Sequence, residues 1–173
     1  MAVPLASIVI VCFGRRDMTT RCLDSLHRVF GSRLGQEIEL VLVDNGSPDD
    51  TLSLLEAWSD RARVIALPEN RQFAGGCNAG GRAATGRAIV FLNNDTVMET
   101  GVIEGLAETV AEPGVAIAGP RLLYADGTIQ HAGVISIRRT SGAIYPYHAH
   151  HRQDGALPAA GGVHEVDIVT GAC

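Results

Sequence analysis

Short apolar runs punctuate the first two thirds of the chain. They are Ser7-Ile8-Val9-Ile10-Val11, residues 38–43, residues 64–67, residues 88–92 and residues 115–118. Continuous apolar runs of this length predict strands buried on both faces of a parallel sheet. The segments between them carry helical signals. Met18, Cys22, Leu26 and Val29 follow helical spacing behind Asp17, a capping residue. Ser47-Pro48-Asp49-Asp50 reads as a helix start, with a capping serine, proline in the first turn and acids at the positive end of the dipole. Residues 73–85 read as a glycine-rich helix ended by Gly86, and residues 101–111 as a helix stopped by Glu112-Pro113-Gly114. Strand and helix thus alternate over residues 1–118. That alternation predicts an α/β fold, a Rossmann-like, mostly parallel sheet with helices on both faces.

After Pro120 the pattern changes. Arg121-Leu122-Leu123-Tyr124 and Thr128-Ile129-Gln130-His131 flank Ala125-Asp126-Gly127, which predicts a hairpin. Residues 138–164 are rich in Gly, Pro and His and read as a long irregular loop. Residues 166–169 return to a strand-like run before Thr170-Gly171-Ala172-Cys173. The expected division is an alternating core at 1–118 and a second region at 119–173, together part of a larger, truncated domain.

Composition narrows the chemistry. The 173 residues are 46% hydrophobic, enough for a sizeable core. The net charge of −5, without a basic stripe, argues against nucleic acid as a partner. All 14 basic residues are arginine, so a Walker A loop and lysine Schiff-base chemistry are excluded. Cys12, Cys22, Cys77 and Cys173 form no C-x-x-C pair and read as small core residues in a reducing compartment. The apolar opening lacks a basic leader region and reads as the first strand. No apolar run approaches the ~20 residues of a membrane span.

Two strand ends carry the candidate chemistry: Asp44-Asn45-Gly46-Ser47 and Asn93-Asn94-Asp95-Thr96. Ligands of open α/β sheets bind beyond the carboxyl ends of the strands. Asp44, expected to be exposed there, suits a nucleobase or ribose. Asp95 suits a hard divalent cation, which needs one carboxylate when diphosphate oxygens supply the rest. Each tetrapeptide alone is also an ordinary turn. The segment from Asn70 to Gly80 is the third element: Arg71 can reach a phosphate or stack on a base, and its glycines serve either ligand approach or tight packing. His148-Ala149-His150-His151 raises a zinc reading but has no cysteine or carboxylate at ligand spacing. His131 is a candidate ligand contact or a buried structural imidazole.

Taken together, these motifs resemble the inverting family 2 glycosyltransferases of GT-A fold. Asp44-Asn45-Gly46-Ser47 with Asp49-Asp50-Thr51 is similar to the family's D-N-G-S-x-D-x-T motif. Asn70, Phe73-Ala74, Asn78 and Gly80 match its N-x-G-F-A-x-x-x-N-x-G segment. Phe91-Leu92-Asn93-Asn94-Asp95-Thr96 resembles the F-L-N-x-D-T form of its metal signature. Gly119-Pro120-Arg121-Leu122, the Asp126–Gly133 run and the final T-G-A-C resemble a branch that includes rhamnosyltransferases and surface-polysaccharide enzymes.

The resemblance implies transfer of a sugar, with inversion, from a UDP- or dTDP-sugar donor to a glycan or lipid-linked glycan acceptor. It implies that Asp44 binds base and ribose, that Asp95 ligates Mg²⁺ or Mn²⁺ and that Asn93 lies near the ribose. The backbone of Val11, Cys12 and Phe13 would line the base pocket and Arg71 would border it; Asn45, Asn78 and Asn94 join the set from the matched motifs. The reducing compartment read from the cysteines is expected to be the cytoplasm, with peripheral association at the inner face of the membrane through regions outside this chain, and a truncated sheet edge could promote pairing of chains as a homo-oligomer. Three departures stand out. The opening strand ends Val11-Cys12-Phe13-Gly14 where the family has Pro-x-Tyr-Asn, Gln72 replaces a glycine, and Asn93 replaces the first acid of D-x-D. The family's catalytic base follows the T-G-A-C stretch, so it is expected beyond Cys173. Neither Glu165 nor Asp167 is assigned that role. A non-catalytic nucleotide-binding module on the same fold is the alternative. A phosphoacceptor domain lacks its strand-one acids and lysine here, and a nicotinamide oxidoreductase lacks its glycine fingerprint.

Overall fold

The computed structural model describes residues 2–173. Two compact units are present, one running to Glu112 and including Gly171–Cys173, the other spanning Pro113–Thr170. The boundary thus falls before residues 115–118, and the last three residues return to the first unit.

The first unit is built on four parallel strands, β1 (Ala6–Cys12), β2 (Ile38–Asp44), β3 (Arg63–Ala66) and β4 (Ala88–Asn93), in the order β3-β2-β1-β4. They are connected through α1 (Arg16–Phe30), α2 (Thr51–Glu56) and α3 (Gln72–Ala83); α4 (Val102–Ala111) follows β4. Alternate residues of a strand face opposite sides of its sheet. Ile8, Ile10, Leu40, Leu42, Val90 and Leu92 therefore meet Leu23, Leu26, Leu55 and Ile103 from α1, α2 and α4 in the larger core. On the opposite face Val9, Val41 and Val43 meet α3. Helices cover both faces, as the alternating pattern predicts. Ser7, the polar residue of β1, is fully buried; its hydroxyl donates to Glu39 and accepts the Gly86 N–H at 2.7 Å.

The second unit holds two antiparallel hairpins. The expected one pairs β5 (Leu122–Leu123) with β6 (Ile129–His131). The other pairs β7 (Val134–Arg138) with β8 (Ile144–His148); β7 leads into the 138–164 stretch expected to be an irregular loop, and β8 lies within it. Ile135 faces Tyr147 and Ile137 faces Tyr145 across it, and its turn closes through the Gly142 N–H to the Arg139 carbonyl, with Gly142 at φ 83°. Pro146 obscures this strand in the sequence, because proline is tolerated only at an edge; β8 pairs on one side alone.

Other expectations fail for want of a partner. Residues 115–118 form no strand, and Ile117 is 73% exposed. Apolar composition without a neighbouring strand leaves ladder hydrogen bonds unmade. Residues 166–169 make one isolated bridge, Ile168 to Val134. Two helix starts also differ. Arg15, in the left-handed region, precedes α1, and Asp17 lies inside its first turn without capping it. Ser47 does not cap α2, which begins at Thr51; the Asp49 carboxylate accepts the Thr51 N–H instead.

Candidate functional site

Parallel pairing sends all four strand ends to one edge. Cys12 is in register with Asp44 on one side of β1, and Val11 with Asn93 on the other. The Asp44 turn and the Asn93–Asp95 turn therefore flank the end of β1, separated by two strand spacings, about 10 Å.

Asp44 is buried, not exposed as expected. Its position on β2 places it on the Cys12 face, beneath α1 and α2. Oδ2 accepts the Ser47 N–H at 3.3 Å, while Oδ1 is buried with no partner among the described residues. A buried acceptor without a donor is costly, so Oδ1 is a ready seat for an N–H or O–H of a ligand. Asn45, also buried, spends its amide inside the protein. Nδ2 donates to Asn70 Oδ1 and to the Gln72 carbonyl, and Oδ1 accepts the Arg71 N–H at 2.9 Å. Its visible work is to hold the turn that carries Arg71, which is exposed. Ser47 Oγ accepts the Gly14 N–H at 3.0 Å, tying the loop after β1 to the Asp44 turn.

Across β1, Asp95 is exposed and has no hydrogen bond or ion pair among the described residues. Its turn is held around it. The Asn93 N–H donates to the Ala172 carbonyl at 3.0 Å, and the Asn93 carbonyl accepts from the Thr96 hydroxyl. Asn94 Nδ2 donates to Thr19 Oγ1 at 2.9 Å. No group of three or more His, Cys, Asp or Glu is placed to hold a metal among the described residues. A single free carboxylate still fits Mg²⁺ or Mn²⁺ that takes its other ligands from phosphate and water.

The remaining candidates divide. Val11 is half-buried against α3, Cys12 is buried and Phe13 is half exposed beyond the strand. Gly76 and Gly80 serve packing, since a Cβ on either would fall within 2.4 Å of a valine methyl of β1. With these two facing the sheet, helical periodicity turns Asn78 outward, and it is exposed. Burial pushes the Cys12 thiol up to about 12, opposed by the Thr19 hydroxyl and reinforced by Asp44. Burial likewise pushes Cys22 up to about 12, with Cys12 and Asp95 adding to it. These thiols are packing residues, not nucleophiles.

In the second unit His131 is buried, its Nε2 has no partner among the described residues, and burial, then His148, lowers its pKa. His148 and His151 stand 6.1 Å apart between ring centroids. Asp167 is engaged by the Ser136 N–H.

Thr19 and Ser47 hold the two rim turns; Thr19 lies outside the sequence motifs, and Ser47 ties the loop after β1 instead of capping α2. The available signal was Thr19 itself, a polar residue on the buried stripe that includes Cys22, Leu23 and Leu26.

The model of the family described as "Glycosyl transferase family 2" matches residues 7–158. The chain belongs to glycosyl transferase family 2. The O-antigen biosynthesis protein RfbC of Myxococcus xanthus is 32% identical over 148 residues, covering 83% of this chain and 11% of the relative. The succinoglycan biosynthesis protein ExoO of Rhizobium meliloti is 33% identical over 117 residues, covering 67% of this chain and 32% of ExoO. The chain thus spans between about a tenth and a third of these relatives. Among solved structures, the mannosyltransferase PcManGT from Pyrobaculum calidifontis, in complex with GDP-Man and Mn²⁺, superposes with a TM-score of 0.54 at 21% identity, over 65% of this chain and 34% of that one. S. aureus TarS 1-349 in complex with UDP-GlcNAc gives 0.54 at 21%, over 61% and 31%. These likenesses establish the GT-A type of α/β fold for this family 2 chain. No helix among the described residues is long and apolar enough to cross a membrane.

Proposed function

We propose that this family 2 chain carries the donor site of a glycosyltransferase that moves a sugar from a UDP- or dTDP-sugar to a glycan acceptor, with inversion, in the building of a surface polysaccharide. One observation carries the reading. The unpartnered Oδ1 of Asp44 and the free carboxylate of Asp95 lie on the two sides of the β1 end, about two strand spacings apart. That separation suits a ligand with a hydrogen-bonding base at one end and a cation-binding diphosphate at the other. Asp44 takes the base or ribose and Asp95 the cation, Mg²⁺ or Mn²⁺; Asn93 stands beside the ribose, and Arg71 borders the base. A bound divalent cation neutralises charge on the diphosphate leaving group. No residue is assigned as the base that deprotonates the acceptor. The O-antigen and succinoglycan names of the relatives support the class of acceptor, and a lipid-linked glycan would bring the protein to a membrane face as a peripheral partner.

Calorimetric titration with UDP, dTDP and GDP, each with and without Mn²⁺, tests this. Tighter binding of UDP or dTDP with Mn²⁺ is expected. Preference for GDP would correct the base, and absence of all nucleotide binding would overturn the reading. Transfer from a radiolabelled donor then separates an enzyme from a module that only binds nucleotide.

A further inference from the structure

The face of α1 that meets the Asn93–Met98 segment carries a row of small polar side chains rather than a continuous apolar stripe. Thr19 Oγ1 accepts from Asn94 Nδ2 at 2.9 Å. One turn on, Cys22 Sγ lies 3.7 Å from the Asn93 carbonyl. Three residues further, Ser25 Oγ accepts the Met98 N–H at 2.9 Å. Spacing of three residues keeps all of them near one side of the helix. All three are buried, and a buried hydrogen bond that loses one partner strands the other. The turn bearing Asp95 is thus held by α1 on either side of the acid, while Asp95 itself stays free.

Thr19 occupies a special place in this row. It is fully buried, and its hydroxyl reaches the Arg15 carbonyl at 3.4 Å. The Thr19 hydroxyl also opposes, and the Asp44 carboxylate reinforces, the upward push that burial gives the Cys12 thiol. The Thr19–Asn94 bond therefore ties the first turn of α1 to the turn after β4. The start of α1 is fixed to the Asp44 side as well, through Gly14 N–H to Ser47 and an Arg16–Asp50 ion pair at 3.2 Å. Asn94 turns its amide N–H₂ to Thr19, so that group braces the turn within the signature.

We propose that Thr19 is a positioning residue for the cation site, acting through Asn94 to hold the Asp95 turn at a fixed height above the sheet. This rests on the donor-site reading and names a residue outside the motifs that led to it. Holding a carboxylate in place lowers the ordering cost of taking up an ion. Loss of the brace should weaken the cation site and leave the base end largely intact.

The experiment uses the 173-residue chain with Mn²⁺ and UDP. Free Mn²⁺ is followed by electron paramagnetic resonance at saturating UDP, metal-free UDP binding by calorimetry, and folding by thermal unfolding. Thr19→Val and Asn94→Ala are each expected to weaken Mn²⁺ roughly five- to tenfold. The double variant should lose no more than either single one, since both break the same bond. Thr19→Ser should restore Mn²⁺ affinity to within about twofold, as it keeps the hydroxyl. Metal-free UDP affinity should change by less than about twofold in all of them. A folded Thr19→Val that takes Mn²⁺ like the parent, losses that add in the double variant, or a Thr19→Ser no better than Thr19→Val would each overturn the proposal. Should Thr19→Val not fold, Asn94→Ala on the half-buried side of the bond decides the matter with the same readout. A parent chain that binds UDP but not Mn²⁺ would remove the cation site itself, which is a failure of the donor-site reading and distinguishable from failure of the brace.

Discussion

Gly76 of α3 faces Val11 at the end of β1 so closely that a Cβ at position 76 would lie 2.4 Å from Val11 Cγ1. Real Cβ atoms do not approach so near, and Val11 is the last residue but one of the strand that separates the two acidic turns. Gly76→Ala should therefore push α3 or the Val11 side chain outward. We expect a loss of about 1–3 kcal/mol, the usual range for overpacking. Chemical denaturation measures it. An unchanged midpoint would show that α3 lies farther from the sheet. Gly81→Ala is the control, because its Cβ would find ordinary contact 3.4 Å from the Phe91 ring.

Gln72 opens α3 with φ 60°. This is the left-handed region, which a residue with a Cβ enters at a cost. It is also the position at which the resembled motif has glycine. Gln72→Gly should stabilise the chain by about 1 kcal/mol, less the backbone freedom that glycine adds to the unfolded state. A fall in melting temperature would contradict the observed backbone.

Much of this was legible in the sequence because the governing forces are local or periodic. The four parallel strands were legible as apolar runs and α3 as a glycine-rich helix. The hairpin at Ala125-Asp126-Gly127 was legible as turn chemistry. Residues 115–118 looked no different from β3 by composition, yet formed no strand, because a strand is defined by a neighbour that a run does not specify. The β7–β8 hairpin was hidden by Pro146 and by histidine and arginine among its alternating positions. At the site, Asp44 and Asp95 were legible from their place after strands. The burial of Asp44 was not, since it depends on α1 and α2 closing over the even-numbered face of β2. Nor was the Thr19–Asn94 bond, which joins residues 75 positions apart.

The buried thiols give a pH signature. Cys12 and Cys22 are pushed up to about 12 and Cys173 to about 11, in each case chiefly by burial. Their folded pKa lies above the unfolded value near 9, so the unfolded chain loses protons first as pH rises. The stability they contribute is complete below about pH 9 and declines between about 9 and 12. Guanidinium midpoints taken from pH 7 to 10.5 should fall above pH 9, and less so in a Cys12→Ala, Cys22→Ala double variant after allowance for its lower starting stability. At pH 8, dithionitrobenzoate should modify half-buried Cys77 well before Cys12 or Cys22. Rapid titration of all four thiols in the folded chain would contradict the burial.

The two acids should fail in different ways. Asp95 makes no hydrogen bond or ion pair with the described residues, so Asp95→Asn removes charge without breaking a contact. It should leave metal-free UDP binding and melting temperature near the parent's and abolish the gain that Mn²⁺ provides. Asp44→Asn alters a buried group whose Oδ2 accepts the Ser47 N–H and whose Oδ1 has no donor among the described residues. Asparagine keeps one acceptor but turns an N–H₂ toward one of those places, where either the Ser47 amide or a ligand donor would meet another donor. UDP affinity should therefore fall about tenfold or more with and without Mn²⁺, in line with the loss of a hydrogen bond to a charged group. Paired titrations of both variants decide the assignment. If Asp44→Asn behaved as the parent while Asp95→Asn lost all nucleotide binding, the base would lie on the β4 side and the donor would run in the opposite direction across the rim.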